Sequence, residues 1–263
     1  MPFTVAHPAI VLPLKRFFPR YLSLTGLMAG AMSPDLIYFL GFSTAYRGLS
    51  HSWAGLFWFC VPAGVLFSIA FHRLFKAPFI GNLPDPLDRH FSGLATQEWR
   101  IEGSRGWVTL TLSVLTGALS HFFWDSFTHP GGEIARAIPL LGEYHHLMGL
   151  WLSNASVMQH LSTVVGMSVL TVAACKGKYL PPPVSDWRGT AKGGKTGFWL
   201  AGTAVAGLFG IGAVLANQTI LSKDGVPSAN VFGVSSWAGF FYFVVIYGLA
   251  RKPSLLKILE ENR

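Results

Sequence analysis

"GWVTLTLSVLTGALSHFFWDSFTHPGG", residues 106–132, is the stretch on which the interpretation of the whole chain depends. Residues 106–127 are predominantly apolar and, as a helix, are long enough to cross the hydrocarbon core of a bilayer, which takes about 20 residues. Yet His121, Asp125 and His129 recur at intervals of four residues near the end of this run. A carboxylate inside a membrane span costs about 2.5–3.5 kcal/mol on insertion scales and therefore indicates a functional site. The stretch predicts a membrane helix with a polar site at one end.

The composition of the chain is typical of a polytopic membrane protein. Only 12% of its 263 residues are charged, whereas soluble domains carry roughly 25%, and the mean hydropathy is +0.43. Five further apolar runs are each close to the length of a membrane span and lie at about 22–42, 52–75, 151–174, 197–216 and 228–250. The predicted fold class is therefore all-α, a polytopic transmembrane helix bundle of about six spans.

The basic residues indicate how these spans are oriented. Of the 20 Lys and Arg residues, 17 fall in one set of loops and only three, Arg47, Arg136 and Lys223, in the other set. Because loops rich in Lys and Arg stay in the cytoplasm, both termini are predicted to be cytoplasmic. The formal charge of +8 then reflects membrane topology, so the expected partner is the lipid bilayer and not a nucleic acid.

Composition also predicts where the chain divides. Residues 176–196, which begin "KGKYLPPPVSDWRG", are rich in Gly, Pro and Lys and predict a flexible, basic cytoplasmic linker. This linker separates a front half, 1–175, which contains four spans and the polar residues, from a back half. The back half, 197–263, consists of two helices and a basic tail.

The stretch around His121 has the spacing of a helical metal site. Residues four apart on a helix differ by only about 40° in direction, so His121 and Asp125 share one face and could bind a single ion. His129 continues the spacing, but Pro130 disfavours a helical conformation before it, so the helix is predicted to end at His129. The alternative interpretation, a hydrogen-bonded polar stripe between helices, stays open at this point.

A second motif, "GAMSPDLIYFL" at residues 30–40, predicts a break in the first span. Ser33 can cap a helix, Pro34 suits the first helical position, and Asp35 then lies in the first turn, where the helix dipole favours a carboxylate. Broken helices at membrane depth are tolerated where they line a site or a cavity. Asp35 is therefore a candidate metal ligand or general base, although capping alone could explain it.

Two further histidines lie within or at the start of predicted spans. His51 opens the second span in "RGLSHSWAGLF", residues 47–57, and His160 follows Gln159 inside the fourth span. Two adjacent polar groups inside an apolar run need partners, which a metal or its ligands could supply. The remaining histidines are predicted to be solvated in loops: His72, His90, His145 and His146.

Five short motifs in order also resemble a known family. "MPFTVAHPAIVLPL" at the start, the two motifs at residues 30–40 and 47–55, "GALSHFFWDSFTH" at 117–129 and "MQHLSTVVG" at 158–166 resemble a family of bacterial integral membrane proteins of unknown function. That family is similar to the predicted membrane-bound metal-dependent hydrolases. The resemblance covers about residues 1–170. It implies a shared polar set of His7, Asp35, His51, His121, Asp125 and His129, with His160 as a further candidate.

The chain departs from this resemblance at one position. The hydrolases usually read Pro-Asp-x-Asp, whereas Asp35 is followed here by Leu36 and Ile37, so the resemblance argues against a two-metal site. His7 is implied by the resemblance alone. Because the chain is predicted to start in the cytoplasm, residues 1–14 would have to form a re-entrant or half-spanning segment for His7 to reach the site.

Together these observations predict a membrane-embedded metal-dependent hydrolase. The predicted ligands of a divalent cation, zinc by the choice of His and Asp donors, are His121, Asp125, His51, His129 and His7, and the predicted catalytic residues are Asp35 and His160. The two cysteines lie in apolar runs and do not predict a thiolate site.

The expected substrate is a lipid or lipid-linked ester or phosphoester at the outer half of the membrane, because the site is predicted to face the extracytoplasmic side. Two other classes of function stay open. One is an ion- or proton-translocating transporter, because buried His and Asp side chains can form such a path. The other is a non-catalytic membrane scaffold.

Overall fold

The computed structural model describes residues 4–41, 47–147, 150–177, 179–220 and 228–261. It consists of two compact units. The first unit contains Met1–Leu36, Gly48–Ser68 and Ile101–Lys176, and the second contains Ile37–Arg47, Ile69–Arg100 and Gly177–Arg263. Residues 69–100, which the sequence analysis assigned to the front half, thus group with the C-terminal helices, while the boundaries at 176 and 196 stay a prediction.

The structure is predominantly α-helical. In chain order the helices are α1 (Leu12–Phe17), α2 (Leu24–Met32), α3 (Leu36–Gly41), α4 (Arg47–Ser50), α5 (Trp53–Gly55), α6 (Val61–Ala70), α7 (Lys76–Gly81), α8 (Leu87–His90), α9 (Ser92–Thr96), α10 (Gly103–Thr128), α11 (Glu133–Ala137), α12 (Pro139–Gly142), α13 (Asn154–Cys175), α14 (Lys192–Ile220) and α15 (Ser228–Glu261). Thr4–Val11 and Ser33–Asp35 are 3-10 helices, and Leu56–Cys60 and Phe71–Phe75 are π-helical turns. Two short antiparallel strands, β1 (Tyr144–Leu147) and β2 (Leu150–Ser153), form a hairpin.

Five helical stretches are long and apolar enough to cross a membrane: Trp53–Gly81, Gly103–Ala137, Asn154–Cys175, Lys192–Ala216 and Val231–Arg251. This is the arrangement expected of a helical membrane protein. The first of the six predicted spans, 22–42, corresponds to a shorter apolar helix, Leu24–Leu40. Six spans and cytoplasmic termini therefore stay predictions.

The break in this shorter helix is confirmed, although its cause differs from the expected one. α2 ends at Met32, and Ser33, Pro34 and Asp35 form the 3-10 turn that separates it from α3. The hydroxyl of Ser33 donates to the carbonyl oxygen of Gly30 at 2.9 Å, so Ser33 closes α2 and does not cap α3. A serine hydroxyl commonly bonds to a carbonyl one turn back, and here that local bond prevails over capping.

The predicted end of the long helix is also confirmed. α10 ends at Thr128, and His129 has an extended backbone with φ −115° and ψ 134°. This is the conformation that a following proline favours. Asp125 therefore lies in the last turn of α10, and His129 is displaced from the helical stripe.

α2 packs directly against the backbone of α10 because glycines lie where the two helices meet. A methyl group on Gly30 would overlap the backbone of Val114, and one on Gly117 would overlap the carbonyl oxygen of Leu27. Without side chains at these positions the helices approach closely. This contact places the C-terminal turn of α2 beside His121.

In the second unit, Lys195 pairs with a buried carboxylate, Asp88, and an exposed one, Asp85. Lys195 Nζ lies 2.8 Å from an Asp88 carboxylate oxygen and 2.9 Å from an Asp85 oxygen. Burial alone would raise the pKa of Asp88, but the hydrogen bonds from Lys195 and from the backbone N–H of Arg89, together with the charge of Lys195, lower this pKa below its ordinary value. In the same unit, Val184 N donates to the Ser92 hydroxyl, so the predicted linker packs against α9. α14 begins at Lys192, inside the predicted linker.

We expect Asp88→Asn to destabilise the protein at neutral pH, since it leaves Lys195 without its buried partner. Lys195 keeps the exposed Asp85 as a partner, so we expect the cost of one lost charged hydrogen bond, about 1.5–3 kcal/mol. A lowered carboxyl pKa stabilises the fold above the unfolded-state pKa, and this stabilisation is lost as pH falls below about 4. Thermal unfolding of wild type and Asp88→Asn should therefore differ most at pH 7 and converge in acid; an unchanged difference at about pH 2 would contradict this role of Asp88.

Candidate metal centre

The first unit brings together five of the residues that the sequence analysis identified. His7 comes from the 3-10 helix Thr4–Val11, Asp35 from the 3-10 turn after α2, His51 from the junction between α4 and α5, and His121 and Asp125 from α10. All but His51 are buried, and the His51 side chain is only 10% exposed. Four separate segments therefore converge on one polar cluster inside an otherwise apolar unit.

His121 is the central residue of this cluster. Its ring lies 2.8 Å, through Nδ1, from the carbonyl oxygen of Ala31, and because a carbonyl can only accept, Nδ1 carries the proton. The lone pair of a neutral ring is then on Nε2, which lies 3.7 Å from Asp35 Oδ1 and 3.5 Å from Asp125 Oδ2. This buried nitrogen makes no hydrogen bond of ordinary length with the described residues. Two carboxylates that face this nitrogen need positive charge, which either a proton on Nε2 or a cation between these groups would supply.

His51 contacts the same two carboxylates as His121. Its Nε2 lies 3.5 Å from Asp35 Oδ1 and 3.6 Å from Asp125 Oδ2, the same two oxygens that face His121. Its other ring nitrogen, Nδ1, lies 2.9 Å from the hydroxyl of Ser50. Two nitrogens and two oxygens thus face one another.

The other oxygen of each carboxylate has a partner in the N-terminal segment. Thr4 donates from its hydroxyl to Asp35 Oδ2 at 2.7 Å. His7 Nε2 lies 3.3 Å from Asp125 Oδ1, and His129 Nδ1 lies 3.5 Å from the same oxygen. These contacts orient the carboxylates so that Asp35 Oδ1 and Asp125 Oδ2 are directed towards His51 and His121.

The donor set and its spacing fit a divalent cation. Tetrahedral zinc, with bonds of 2.0–2.1 Å to nitrogen and oxygen, separates its ligand atoms by about 3.3–3.4 Å. The four nitrogen–oxygen distances between the two imidazoles and the two carboxylates are 3.5–3.7 Å. Two buried carboxylates also need compensating positive charge, because an unpaired buried charge is very costly. One divalent cation would balance both.

Comparison with known proteins assigns the chain to a family. Residues 1–249 match the family described as Domain of unknown function (DUF4184). The chain belongs to this family. The match covers both units of the DUF4184 chain and extends well beyond residue 170, where the resemblance ended. No curated protein and no solved structure matches the chain significantly. Membership of an uncharacterised family is thus confirmed, whereas similarity to metal-dependent hydrolases stays a prediction.

Two predicted residues of this DUF4184 protein lie apart from the four facing donors. His129 contacts only one of these four, Asp125, at 3.5 Å, and no ion pair between His129 and Asp35 is found among the described residues. His160 is exposed on α13, and its neighbour Gln159 is the buried member of the pair. Adjacent helical residues point about 100° apart, and packing of α13 against the N-terminal segment decides which one faces inward. The position of His160 therefore gives no support for a catalytic role.

Two contributors were missed by sequence reasoning. Thr4 lies three residues before His7 and holds Asp35, while the carbonyl oxygen of Ala31 holds His121. A single threonine near the start of a chain carries no recognisable signal, and a backbone carbonyl carries none at all.

His72, predicted to be solvated, is in fact half-buried and stacked on Trp99 at 4.4 Å between ring centres.

Proposed function

We propose that this DUF4184 protein is a membrane-embedded, metal-dependent hydrolase whose cation is bound by Asp35, His51, His121 and Asp125. The observation that carries the proposal is the buried Nε2 of His121, which faces Asp35 Oδ1 at 3.7 Å and Asp125 Oδ2 at 3.5 Å, the same two oxygens that face His51. Imidazole nitrogen together with carboxylate oxygen is a donor set that zinc accepts, so zinc is the proposed ion.

The residues of the chain divide into those that would bind the cation and those that orient them. A divalent cation at this position would supply Lewis acidity, which activates water and stabilises negative charge on an ester or phosphoester oxygen. Asp35 offers Oδ1 to the cluster while Thr4 occupies Oδ2, so we assign Asp35 as a ligand and not as a general base. The Ala31 carbonyl fixes the proton of His121 on Nδ1 and leaves Nε2 for binding.

We further propose that the substrate is a lipid or lipid-linked ester or phosphoester, reached from the outer half of a bacterial inner membrane. Trp53, Phe57 and Trp58 follow His51 and are exposed, as expected of side chains that face lipid beside the site. His51, at 10% exposure, is the least buried of the four ligands. A lipid headgroup could therefore approach the cluster near His51, while the outward orientation rests on the asymmetry of Lys and Arg.

The hydrolase proposal is tested by product analysis. Zinc-loaded protein in mixed micelles would be incubated with phospholipids and lipid-linked phosphates, and released headgroups, phosphate and fatty acids would be measured by mass spectrometry. We expect zinc-dependent release that Asp125→Asn abolishes and His160→Gln, a change at an exposed position, leaves intact. If no substrate of these classes gave zinc-dependent product, the hydrolase proposal would be wrong.

Thr4→Val is expected to weaken zinc binding without unfolding the protein. Valine has nearly the shape of threonine but cannot donate to Asp35 Oδ2, so the carboxylate loses its fixed orientation. Loss of a hydrogen bond that orients a metal ligand typically costs about 10–100-fold in affinity. Competition with a fluorescent chelator measures this change. The matched control is Thr116→Val, which removes a hydroxyl bonded only to Leu112 on the exposed face of α10; equal affinities in the two variants would contradict the role of Thr4.

A further inference from the structure

We propose that a groove along the first three turns of α14 binds a membrane phospholipid whose headgroup carries both a phosphate and an ammonium group. The groove lies in the second unit, so the proposal does not depend on the metal centre of the first unit. Its volume is about 650 Å³, within the range of about 300–1,000 Å³ that is ordinary for ligand pockets.

One face of α14 lines the length of the groove. Residues three and four positions apart on a helix share a face, and the lining residues of α14 follow this spacing. They are Lys192, Lys195, Thr196, Trp199, Leu200 and Thr203. The stripe begins with ammonium and hydroxyl groups and continues with an indole and a leucine, while Pro84 and Asp85 also line the groove. A groove that is charged at one end and largely apolar along the rest fits an amphiphile.

The position of this stripe in a candidate membrane span indicates that the amphiphile is a lipid. The apolar stretch of α14 begins at Lys192, so the charged end of the groove lies at the edge of the span. Trp199 lies about 10 Å further along the helix axis, at 1.5 Å per residue. Tryptophan is enriched where membrane and water meet. A headgroup beside Lys192 and an acyl chain along Trp199 and Leu200 would run in the direction that lipids take in a bilayer.

Trp199 is held in place as a wall of the groove. Its indole N–H donates to the carbonyl oxygen of Asn82 at 2.8 Å. Its ring also stacks on Phe240, with ring centres 5.7 Å apart and an angle of 18° between the planes. A wall that is already ordered loses little conformational entropy when a ligand binds. The apolar part of the groove is therefore formed before the lipid arrives.

The charges at the polar end favour a zwitterionic headgroup over an anionic one. Lys195 is buried and lies within 3 Å of carboxylate oxygens of both Asp85 and Asp88. Lys192 is exposed, and no ion pair of Lys192 is found in the described part of the chain. The Asp85 side chain is 69% exposed. Lys192 can thus pair with a phosphate and Asp85 with an ammonium group, and two lysines and two aspartates together favour a ligand without net charge.

The experiment measures how lipid affinity depends on the headgroup. Purified full-length protein in detergent would be freed of lipid and titrated with phosphatidylethanolamine, which carries both groups, or with phosphatidylglycerol, which lacks the ammonium. Native mass spectrometry counts the bound lipid. We expect one phosphatidylethanolamine per wild-type chain, bound about tenfold more tightly than phosphatidylglycerol, because the latter makes one charged hydrogen bond fewer.

Two charge variants test the two ends of the headgroup. Lys192→Gln is expected to weaken phosphatidylethanolamine binding about tenfold, since the phosphate loses its charged partner. The control Lys176→Gln removes another exposed lysine, just beyond the end of α13, and should bind as wild type does. Asp85→Asn is expected to abolish the preference for phosphatidylethanolamine, while Lys195 keeps its contact with Asp88.

A steric variant tests the apolar part of the groove. Thr203→Phe fills this part and should weaken binding of phosphatidylethanolamine, whereas Ala204→Phe changes an exposed neighbour that does not line the groove and should not. Equal affinities of Lys192→Gln and Lys176→Gln would overturn the proposal. Phosphatidylglycerol bound by wild type as tightly as phosphatidylethanolamine would overturn it as well.

Discussion

His121→Ala is expected to abolish zinc binding and, with it, any hydrolase activity. The side chain is completely buried and supplies one of the two nitrogens, with that of His51, that face both carboxylates. Removal of a direct ligand should cost more than the 10–100-fold that follows from loss of an orienting partner, so we expect at least a ~100-fold loss in zinc affinity. Zinc per protein, measured by elemental analysis after desalting, should fall to near zero.

The control for this variant is His160→Ala, which removes an imidazole from an exposed position on α13. It should retain the zinc content of wild type. Size-exclusion chromatography and circular dichroism establish whether His121→Ala is folded, since the Ala31 carbonyl loses its donor in this variant. A folded His121→Ala protein with full zinc content would show that the cluster does not bind the ion.

Gly30→Ala is expected to be among the most destabilising single-methyl changes in the chain. The new Cβ would overlap the backbone of Val114, and backbone atoms cannot move aside without separating α2 from α10. Overpacking of this kind costs about 3 kcal/mol or more, which corresponds to a fall of roughly 6–12 °C in Tm. Because the same contact positions the Ala31 carbonyl beside His121, zinc affinity should fall together with stability.

The matched control is Gly207→Ala in α14, where an added Cβ meets no atom within 4 Å. Alanine is favoured over glycine in a helix by about 1 kcal/mol, so this variant should be as stable as wild type or slightly more so. Thermal unfolding of both variants in the same detergent gives the comparison. Equal melting temperatures would mean that α2 and α10 do not pack through Gly30.

Local spacing made part of the site predictable. His121 and Asp125 share a face because helix geometry requires it, and Pro130 ends the helix because it constrains the residue before it. The break at Ser33 followed from the same kind of local reasoning. In each case the residues that determine the local structure lie within a few positions of one another in the sequence.

The remainder of the site depends on tertiary packing. Thr4 and the Ala31 carbonyl act on residues 31 and 90 positions away, respectively, and no local pattern encodes such contacts. His7 was implied by resemblance alone, and its distance of 3.3 Å from Asp125 is set by how the N-terminal 3-10 helix packs. Gln159 and not His160 is buried because of the elements that pack against α13. The periodicity of one apolar helix does not show which of its faces packs inward.

X-ray absorption at the zinc edge is the most direct test of the central claim, that imidazoles and carboxylates of this cluster bind a divalent cation. Wild-type protein loaded with zinc is expected to show only nitrogen and oxygen neighbours at about 2.0–2.1 Å, with the scattering of about two imidazoles per zinc. That spectrum should be lost in His121→Ala. Failure of wild type to retain zinc, or a sulfur neighbour at about 2.3 Å, would contradict the account.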